Sequence, residues 1–249
     1  MTTPGAEATE LDGGGWQLRI PAGTGGVYRL AQLDDYTGRR RKDFLWRPPF
    51  TVKLYARASS ASIPGTWGFG LWNDPFSLSL GLGGGTRRFP ALPNTAWFFF
   101  ASPQNFLSLR DDLPSQGLLA ATFRSSRLPL LLLAPATLAM PLLLWRPTAR
   151  ALRRAAARLI HQDAARLEID PSEWRHYSLT WQGNAVSFAV DGQLVLETRV
   201  TPQAPLGLVL WIDNQYAAFP PDGRLAYGTL PNEAPASIDI KDLTLEPLS

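Results

Sequence analysis

Alternating apolar and polar residues between positions 173 and 192 constrain the fold of this chain more than any other feature. The apolar positions are Tyr177, Leu179 and Trp181 in the first half, and Val186, Phe188 and Val190 in the second. A period of two is that of a β-strand with one face buried and the other in water. The residues Gln182-Gly183-Asn184 between the halves predict a turn, and Asp191-Gly192 begins the next one. The segment therefore predicts two antiparallel strands followed by a further hairpin.

Other segments show similar patterns and predict a protein built largely from short strands. Hydrophobic residues make up 45% of the chain, and 21 glycines and 22 prolines favour frequent turns around a substantial core. The further predicted strands are 16–20, 27–30, 50–58, 67–72, 96–101, 117–123, 205–214 and 236–246. A phase shift in the last of these predicts a β-bulge near Lys241 and Asp242. In strand 67–72, glycines at 68 and 70 leave one face bare, which allows close packing or a ligand cleft.

The strand pattern stops at residues 125–168, which predict a helical insertion. An uncharged 18-residue run from Leu128 to Trp145 contains three prolines, so a simple membrane-spanning helix is not expected. Thr148 is suited to N-cap an arginine-rich helix from Ala149 to about Ala165. The segment 128–160 either packs on the sandwich or between copies of the chain, or lies on an anionic membrane surface. We expect a disordered N-terminus over 1–14 and one domain over 15–249, interrupted at 125–168.

Composition excludes several classes of function. The chain has no cysteine, which rules out disulfides and thiolate metal sites, and its first fifteen residues contain no apolar signal segment. A cytoplasmic location is therefore expected, with membrane association as an addition. The net charge is +3, and no basic stripe with interleaved aromatic residues is apparent, so nucleic acid is not expected as a partner. No phosphate loop, dinucleotide fingerprint or serine-histidine-aspartate set is present.

The pattern W-x-x-Y-x-L-x-W, followed by V-x-F-x-V-D-G at 186–192, resembles the central hairpins of concanavalin A-like lectin and glucanase domains. These domains include laminin-G-like modules and family 16 glycoside hydrolases. Three other segments occur along the chain in the order expected for that superfamily. They are G-F-G-L-W at 68–72, P-L-G-L-V-L-W at 205–211 and I-D-I-K-D-L-T-L at 238–245. The resemblance implies an all-β, two-sheet antiparallel jelly-roll sandwich that binds ligands in its concave sheet.

The hydrolase branch of that superfamily carries a Glu-x-Asp-x-x-Glu signature on a concave strand. Here the same letters occur at Glu168, Asp170 and Glu173, where the resemblance implies a nucleophile and an acid/base. Pro171 would interrupt a central strand, so we interpret the segment as an exposed connection and keep two-carboxylate hydrolysis as an alternative. Asp239 is an alternative calcium ligand by the same resemblance. No other cofactor is expected.

Two predicted strands end in an aromatic residue followed by polar ones, which suggests a shared ligand pocket. One end is Trp72-Asn73-Asp74, for which an Asx turn beside a core tryptophan is the competing interpretation. The other runs from Trp211 through Asp213 and Asn214 to Tyr216. Trp97 lies on strand 96–101, whose alternate residues point to opposite faces. One of these two sets of residues faces the ligand side. The predicted ligand-binding residues are Trp72, Asn73, Asp74, Trp97, Trp211, Asp213, Asn214 and Tyr216.

From the residues and the resemblance we expect a non-catalytic domain that binds a carbohydrate or an apolar small molecule on an aromatic and polar concave face. A glycoside hydrolase-like enzyme using Glu168 and Glu173 is the second hypothesis. A membrane-surface or assembly protein acting through the insertion is the third.

Overall fold

Antiparallel strands form two stacked sheets in the computed structural model, which describes residues 1–75, 91–126 and 145–248. The strands are β1 (Glu7–Glu10), β2 (Trp16–Ile20), β3 (Leu30–Asp34), β4 (Phe50–Ala58), β5 (Thr66–Trp72), β6 (Thr95–Ala101), β7 (Gly117–Ser125), β8 (Ile160–Arg166), β9 (Arg175–Trp181), β10 (Val186–Val190), β11 (Gln193–Thr198), β12 (Gly207–Asp213), β13 (Gln215–Ala218), β14 (Ala226–Thr229) and β15 (Ala236–Pro247). A seven-stranded sheet has the order β1-β2-β15-β4-β9-β10-β11, and a six-stranded sheet has the order β3-β12-β5-β6-β7-β8. Strands β13 and β14 form a separate ribbon. The predicted all-β sandwich is thus confirmed.

The main core lies between the two sheets and follows the alternation of the sequence. In β9 the residues Tyr177, Leu179 and Trp181 point inward and are almost fully buried. The ring of Phe98 from the opposite sheet meets Tyr177 and Phe188 edge-on, at centroid distances of 5.0 Å and 5.1 Å. Burial of each such side chain contributes roughly 1.5–3 kcal/mol to the hydrophobic driving force. The period-two pattern therefore fixes which face of each strand enters the core.

The predicted hairpins and bulge are confirmed. Val186 lies opposite Trp181 in the β9–β10 pair, and β10 continues into a second antiparallel pair with β11. The β15–β4 register shifts between Lys241 and Thr244, and Asp242 adopts a positive φ of 52°. An unpaired residue in one strand shifts all later side chains to the other face, which explains the change of phase in the sequence.

The N-terminus is ordered, so the prediction of disorder over 1–14 is wrong. Strand β1 pairs with β2, and the backbone of Met1 and Thr3 pairs with β3. Backbone hydrogen bonding at a sheet edge needs little side-chain burial, so composition gave no signal for it. The strand predicted at 27–30 is also displaced, because the observed strand is Leu30–Asp34.

The interruption between β7 and β8 contains the helix α1 (Arg146–Leu159). It begins before the predicted cap Thr148, because Trp145 is the N-cap and makes no side-chain cap hydrogen bond. It also ends earlier than predicted. Residues 160–166 form the edge strand β8, in which Ile160, Gln162 and Ala164 alternate as buried residues, and Ile160 and Ala164 pack on the outer face of the sheet. Most of the apolar run from Leu128 to Trp145 lies outside the described residues. In the part of the chain that the structure describes, no helix is long and apolar enough to cross a membrane.

Candidate functional site

The outer face of the six-stranded sheet, which points away from the other sheet, holds a cluster of three tryptophans. Trp72 of β5, Trp97 of β6 and Trp211 of β12 all point to this face. The ring centroids of Trp97 and Trp211 lie 5.3 Å apart, and those of Trp72 and Trp97 lie 5.9 Å apart. The rings of Trp72 and Trp211 are 6.3 Å apart and nearly parallel, at 4°. The structure thus brings together the three aromatic residues that the sequence assigned to one site.

Strand β5 allows this cluster because two of its outward positions, 68 and 70, are glycines. Gly68 is paired with Trp211 on one side and with Phe99 on the other. A Cβ atom at position 68 would lie 2.7 Å from the Cη2 atom of Trp211 and 2.5 Å from the backbone oxygen of Phe98. The Trp211 indole therefore covers Gly68. Of the two predicted alternatives, close packing and a ligand cleft, the structure shows close packing at this position.

A chain of hydrogen bonds fixes the orientation of Trp211. Its Nε1 donates to the hydroxyl oxygen of Thr66 over 3.0 Å, and that hydroxyl donates to Oδ1 of Asp213 over 2.8 Å. The Tyr28 hydroxyl donates to the other oxygen of Asp213 over 3.3 Å. The Asp213 carboxyl is buried, and this burial raises its pKa to about 7, although hydrogen bonds from Thr66 and its neighbours oppose the shift. The orientation of the Trp211 ring is therefore coupled to a carboxyl group that titrates near neutral pH.

Two indole groups in the cluster lack hydrogen-bond partners. The Nε1 atoms of Trp72 and Trp97 are both buried and donate to no acceptor within residues 1–75, 91–126 and 145–248. Trp97 is 9% exposed, whereas Trp72 and Trp211 are half-buried. A buried donor without an acceptor costs roughly 1–3 kcal/mol. The cluster therefore combines partly accessible ring surface with two unpaired N–H donors.

The polar residues after Trp72 hold the backbone rather than face a ligand. The Asn73 amide nitrogen donates to the Leu92 backbone oxygen over 2.9 Å, and its side-chain oxygen accepts from the Asn94 N–H over 2.9 Å. Asp74 follows with a positive φ of 49° and is buried. These contacts tie the end of β5 to the start of β6. They match the turn interpretation of Asn73 and Asp74, while Trp72 itself belongs to the outer cluster.

Asn214 has an entirely structural environment. Its side-chain oxygen accepts from the Arg29 N–H over 2.8 Å, and its nitrogen donates to the backbone oxygens of Val27 and Leu230. The residue has no exposed surface, so a ligand does not reach it. Tyr216 is half-buried on the β13–β14 ribbon, where its ring lies against Gly228. Of the polar residues expected at this strand end, Asp213 is hydrogen-bonded to the tryptophan cluster, through the Thr66 hydroxyl and Trp211.

The carboxylates of the hydrolase hypothesis lie in the connection between β8 and β9, away from the tryptophan cluster. The carboxylate of Glu168 pairs with Arg166 at 3.0 Å, and that of Glu173 pairs with Arg175. Asp170 accepts from the backbone and hydroxyl of Ser172, and these hydrogen bonds lower its pKa. All three side chains are exposed or half-exposed on a loop. This geometry agrees with the exposed-connection interpretation of the segment.

Asp239, the alternative calcium ligand, is fully engaged by other side chains. Gln17 donates to one carboxylate oxygen over 2.8 Å, and Arg57 donates to the other over 3.0 Å. Within 1–75, 91–126 and 145–248, no group of three or more His, Cys, Asp or Glu side chains could hold a metal ion. The donors around Asp239 are therefore unsuited to calcium, which needs oxygen ligands.

Sequence reasoning missed the residues that border Trp211. Gln32 lies opposite Trp211 in the β3–β12 pair, and its amide nitrogen donates to Asp34 and to the Tyr36 hydroxyl. Thr66 and Tyr28, which hold Asp213, were also missed. The signal for these residues is the strand register, because they become neighbours only when β3, β12 and β5 pair.

Comparisons with known proteins identify the fold. No protein-family model and no curated protein matches the chain. A solved structure described as belonging to endo-acting O-glycanases that human gut bacteria express to initiate mucin breakdown is 9% identical. Its TM-score is 0.51, with 99% of this chain and 83% of that chain covered. A β-glucanase from Bacillus licheniformis is 10% identical, with a TM-score of 0.47 and coverages of 97% and 82%.

A legume lectin-like domain from Entamoeba histolytica is similar at 10% identity, with a TM-score of 0.47 and coverages of 98% and 88%. At such low identity a structural likeness shows the fold and nothing more. The first of these structures, at a TM-score of 0.51, shows that the chain shares its two-sheet sandwich fold, as the hairpin pattern implied.

Proposed function

We propose that the outer face of the six-stranded sheet binds a carbohydrate through Trp72, Trp97 and Trp211, and that it does so without cleaving it. The observation that carries this proposal is the tryptophan cluster itself. Its rings lie within 5.3–6.3 Å of one another, and two of them are half-exposed. Exposed indole faces offer the flat apolar surface on which the C–H face of a sugar ring stacks.

The indole Nε1 groups of Trp72 and Trp97 are not available to a ligand on this face. Both atoms are buried and have no acceptor among the described residues, so a ligand would contact the rings rather than these donors. The apolar ring surface is therefore the part of the cluster that a sugar would meet. A ligand site with mostly apolar walls and a few polar groups is typical of small-molecule recognition.

The positions of the carboxylates support binding without hydrolysis. Glycoside hydrolysis uses two carboxyl groups about 5–9.5 Å apart on either side of the scissile bond. Glu168 and Glu173 lie on the β8–β9 connection and pair with Arg166 and Arg175. Asp213, beside the cluster, is buried and already accepts hydrogen bonds from Thr66 and Tyr28. Neither arrangement places a free pair of carboxylates against the indole faces.

A glycan array with wild-type protein and three tryptophan variants tests the proposal. W72A and W211A should each weaken binding about tenfold or more, because a lost ring contact costs roughly 1 kcal/mol and the lost burial adds to it. W72F should bind with intermediate affinity, since it keeps an aromatic ring that is smaller than the indole. W174A is the matched control, because Trp174 is half-buried but packs against Arg57 and Lys241 near the seven-stranded sheet.

Unchanged binding by W72A and W211A would overturn the proposal. Release of shorter glycans by wild-type protein, abolished in E168Q and E173Q, would establish the hydrolase hypothesis instead. Circular dichroism of each variant checks that the sandwich remains folded.

A further inference from the structure

Helix α1 presents a row of arginines to solvent. Arg146, Arg150, Arg154 and Arg158 are four residues apart, so they follow one another along one side of the helix. All four are exposed. A fifth arginine of the helix, Arg153, differs from them. It is buried and binds Asp111 at 2.7 Å and the backbone oxygens of Ser108 and Phe219. Arg153 therefore fixes the helix on the sandwich and determines which side the exposed row occupies.

The exposed row has few compensating charges. Arg146 lies near Asp222, which is itself paired with Arg224. Arg150, Arg154 and Arg158 make no ion pair with any described carboxylate. The side chain of Arg154 donates to the backbone oxygen of Arg150. Six arginines elsewhere pair with carboxylates, namely Arg40, Arg57, Arg110, Arg166, Arg175 and Arg224. The helix thus carries a concentrated positive charge that the described protein does not neutralise.

An apolar strip runs along the other flank of the same exposed side. Trp145, Leu152 and Leu159 are spaced by seven residues, which places them in line, and they are 66%, 39% and 43% exposed. Ala151 and Ala155 lie between this strip and the arginine row, and both are exposed. Small side chains there let a flat surface approach the helix. The exposed side of α1 is therefore apolar on one flank and cationic on the other.

We propose that this side of α1, together with Trp145, binds the surface of an anionic lipid membrane. Helices that lie in a membrane interface bury an apolar strip at the boundary of the acyl chains and place basic residues among the head groups. A tryptophan at the end of such a helix suits the interfacial region. A nucleic acid would neutralise the arginines but leave the two leucines in water, so lipid fits both flanks. The proposal does not depend on carbohydrate binding by the sheet.

Vesicle flotation of the full chain tests this inference. Wild-type protein should bind vesicles of phosphatidylcholine with 30% phosphatidylserine much more strongly than vesicles of phosphatidylcholine alone. Each basic residue near an anionic surface is worth roughly a fivefold change in binding. Replacing Arg150, Arg154 and Arg158 together by glutamine should therefore weaken binding to the anionic vesicles about a hundredfold.

Matched variants separate this surface from general electrostatics. A triple variant with Arg19, Arg47 and Arg199 replaced by glutamine removes the same charge from exposed sites elsewhere, and should bind like wild type. A variant with Leu152 and Leu159 replaced by glutamine should also lose binding, although its charge is unchanged. Because all variants keep residues 127–144, differences between them report on α1.

Three results would overturn the proposal. The first is equal binding to neutral and anionic vesicles. The second is equal loss in the two triple arginine variants. The third is binding of wild-type protein to a soluble polyanion such as heparin or DNA without binding to anionic vesicles, which would assign the arginine row to an acidic macromolecule.

Discussion

Replacing Asp213 by asparagine should remove much of the pH dependence of stability between pH 5 and pH 8. Burial raises the pKa of the folded-state carboxyl to about 7, from an ordinary value of 3.8. Between these values the folded protein holds a proton that the unfolded chain has released. Protonated Asp213 therefore contributes stability that is fully present below pH 4 and is lost as the pH rises through 7.

The magnitude follows from the size of the pKa shift. One pKa unit corresponds to about 1.4 kcal/mol, so the full shift corresponds to about 4 kcal/mol, of which about 3 kcal/mol falls between pH 5 and pH 8. Asparagine has nearly the same shape and does not titrate. Its oxygen can still accept from Thr66, and its NH2 group can donate to the Tyr28 hydroxyl oxygen. D213N should therefore fold and should be relatively more stable than wild type at pH 8 than at pH 5.

Urea unfolding followed by tryptophan fluorescence at pH 5, 6, 7 and 8 measures the effect. The quantity to compare is the free energy of unfolding of wild type minus that of D213N at each pH. This difference should fall by about 3 kcal/mol from pH 5 to pH 8. D12N, at an exposed aspartate, should give a difference that does not change with pH. A constant difference for D213N as well would refute the reasoning that burial raises the Asp213 pKa.

Three further substitutions test the structural roles assigned to Gly68, Asn214 and Glu173. G68A should destabilise the protein by roughly 1–3 kcal/mol, seen as a lower Tm, because its Cβ would meet both Trp211 and the Phe98 backbone oxygen; an unchanged Tm would contradict the close packing. N214A should cost about 3 kcal/mol in urea unfolding, since three hydrogen bonds are lost, whereas N184A in the exposed β9–β10 turn should cost little; equal costs would exclude a structural role for Asn214. E173Q should change the unfolding free energy by less than about 1 kcal/mol, because its ion pair with Arg175 is exposed; a larger loss would show that the β8–β9 connection contributes more than a surface loop.

Much of the fold was predictable because burial on one side of a strand leaves a period of two in the sequence. Tyr177, Leu179 and Trp181 identified the face of β9 that enters the core, and the phase shift after Lys241 identified the bulge. The helix was harder to delimit. Arginine and alanine tolerate a helix well, so the pattern continued past Leu159, where edge pairing with β7 converts residues 160–166 into a strand.

The candidate site was only partly predictable. Strand 96–101 is apolar on both faces, so the sequence could not decide whether Trp97 or Phe98 faced the ligand side. The structure places Phe98 between the sheets and Trp97 on the outer face. Asn214 looked like a ligand-binding residue because amides are common in such sites, but it satisfies three backbone groups instead.

The sequence by itself determined that the chain forms an antiparallel sandwich and that Trp72 ends one of its strands. Those properties are local, since they depend on alternation and on turn residues within a few positions. Only the tertiary structure decided that Trp211 lies over Gly68 and that Thr66 and Tyr28 hold Asp213, because these contacts depend on the register of strands more than a hundred residues apart. Register is set by the packing of the whole sheet, and no short segment of the sequence contains it.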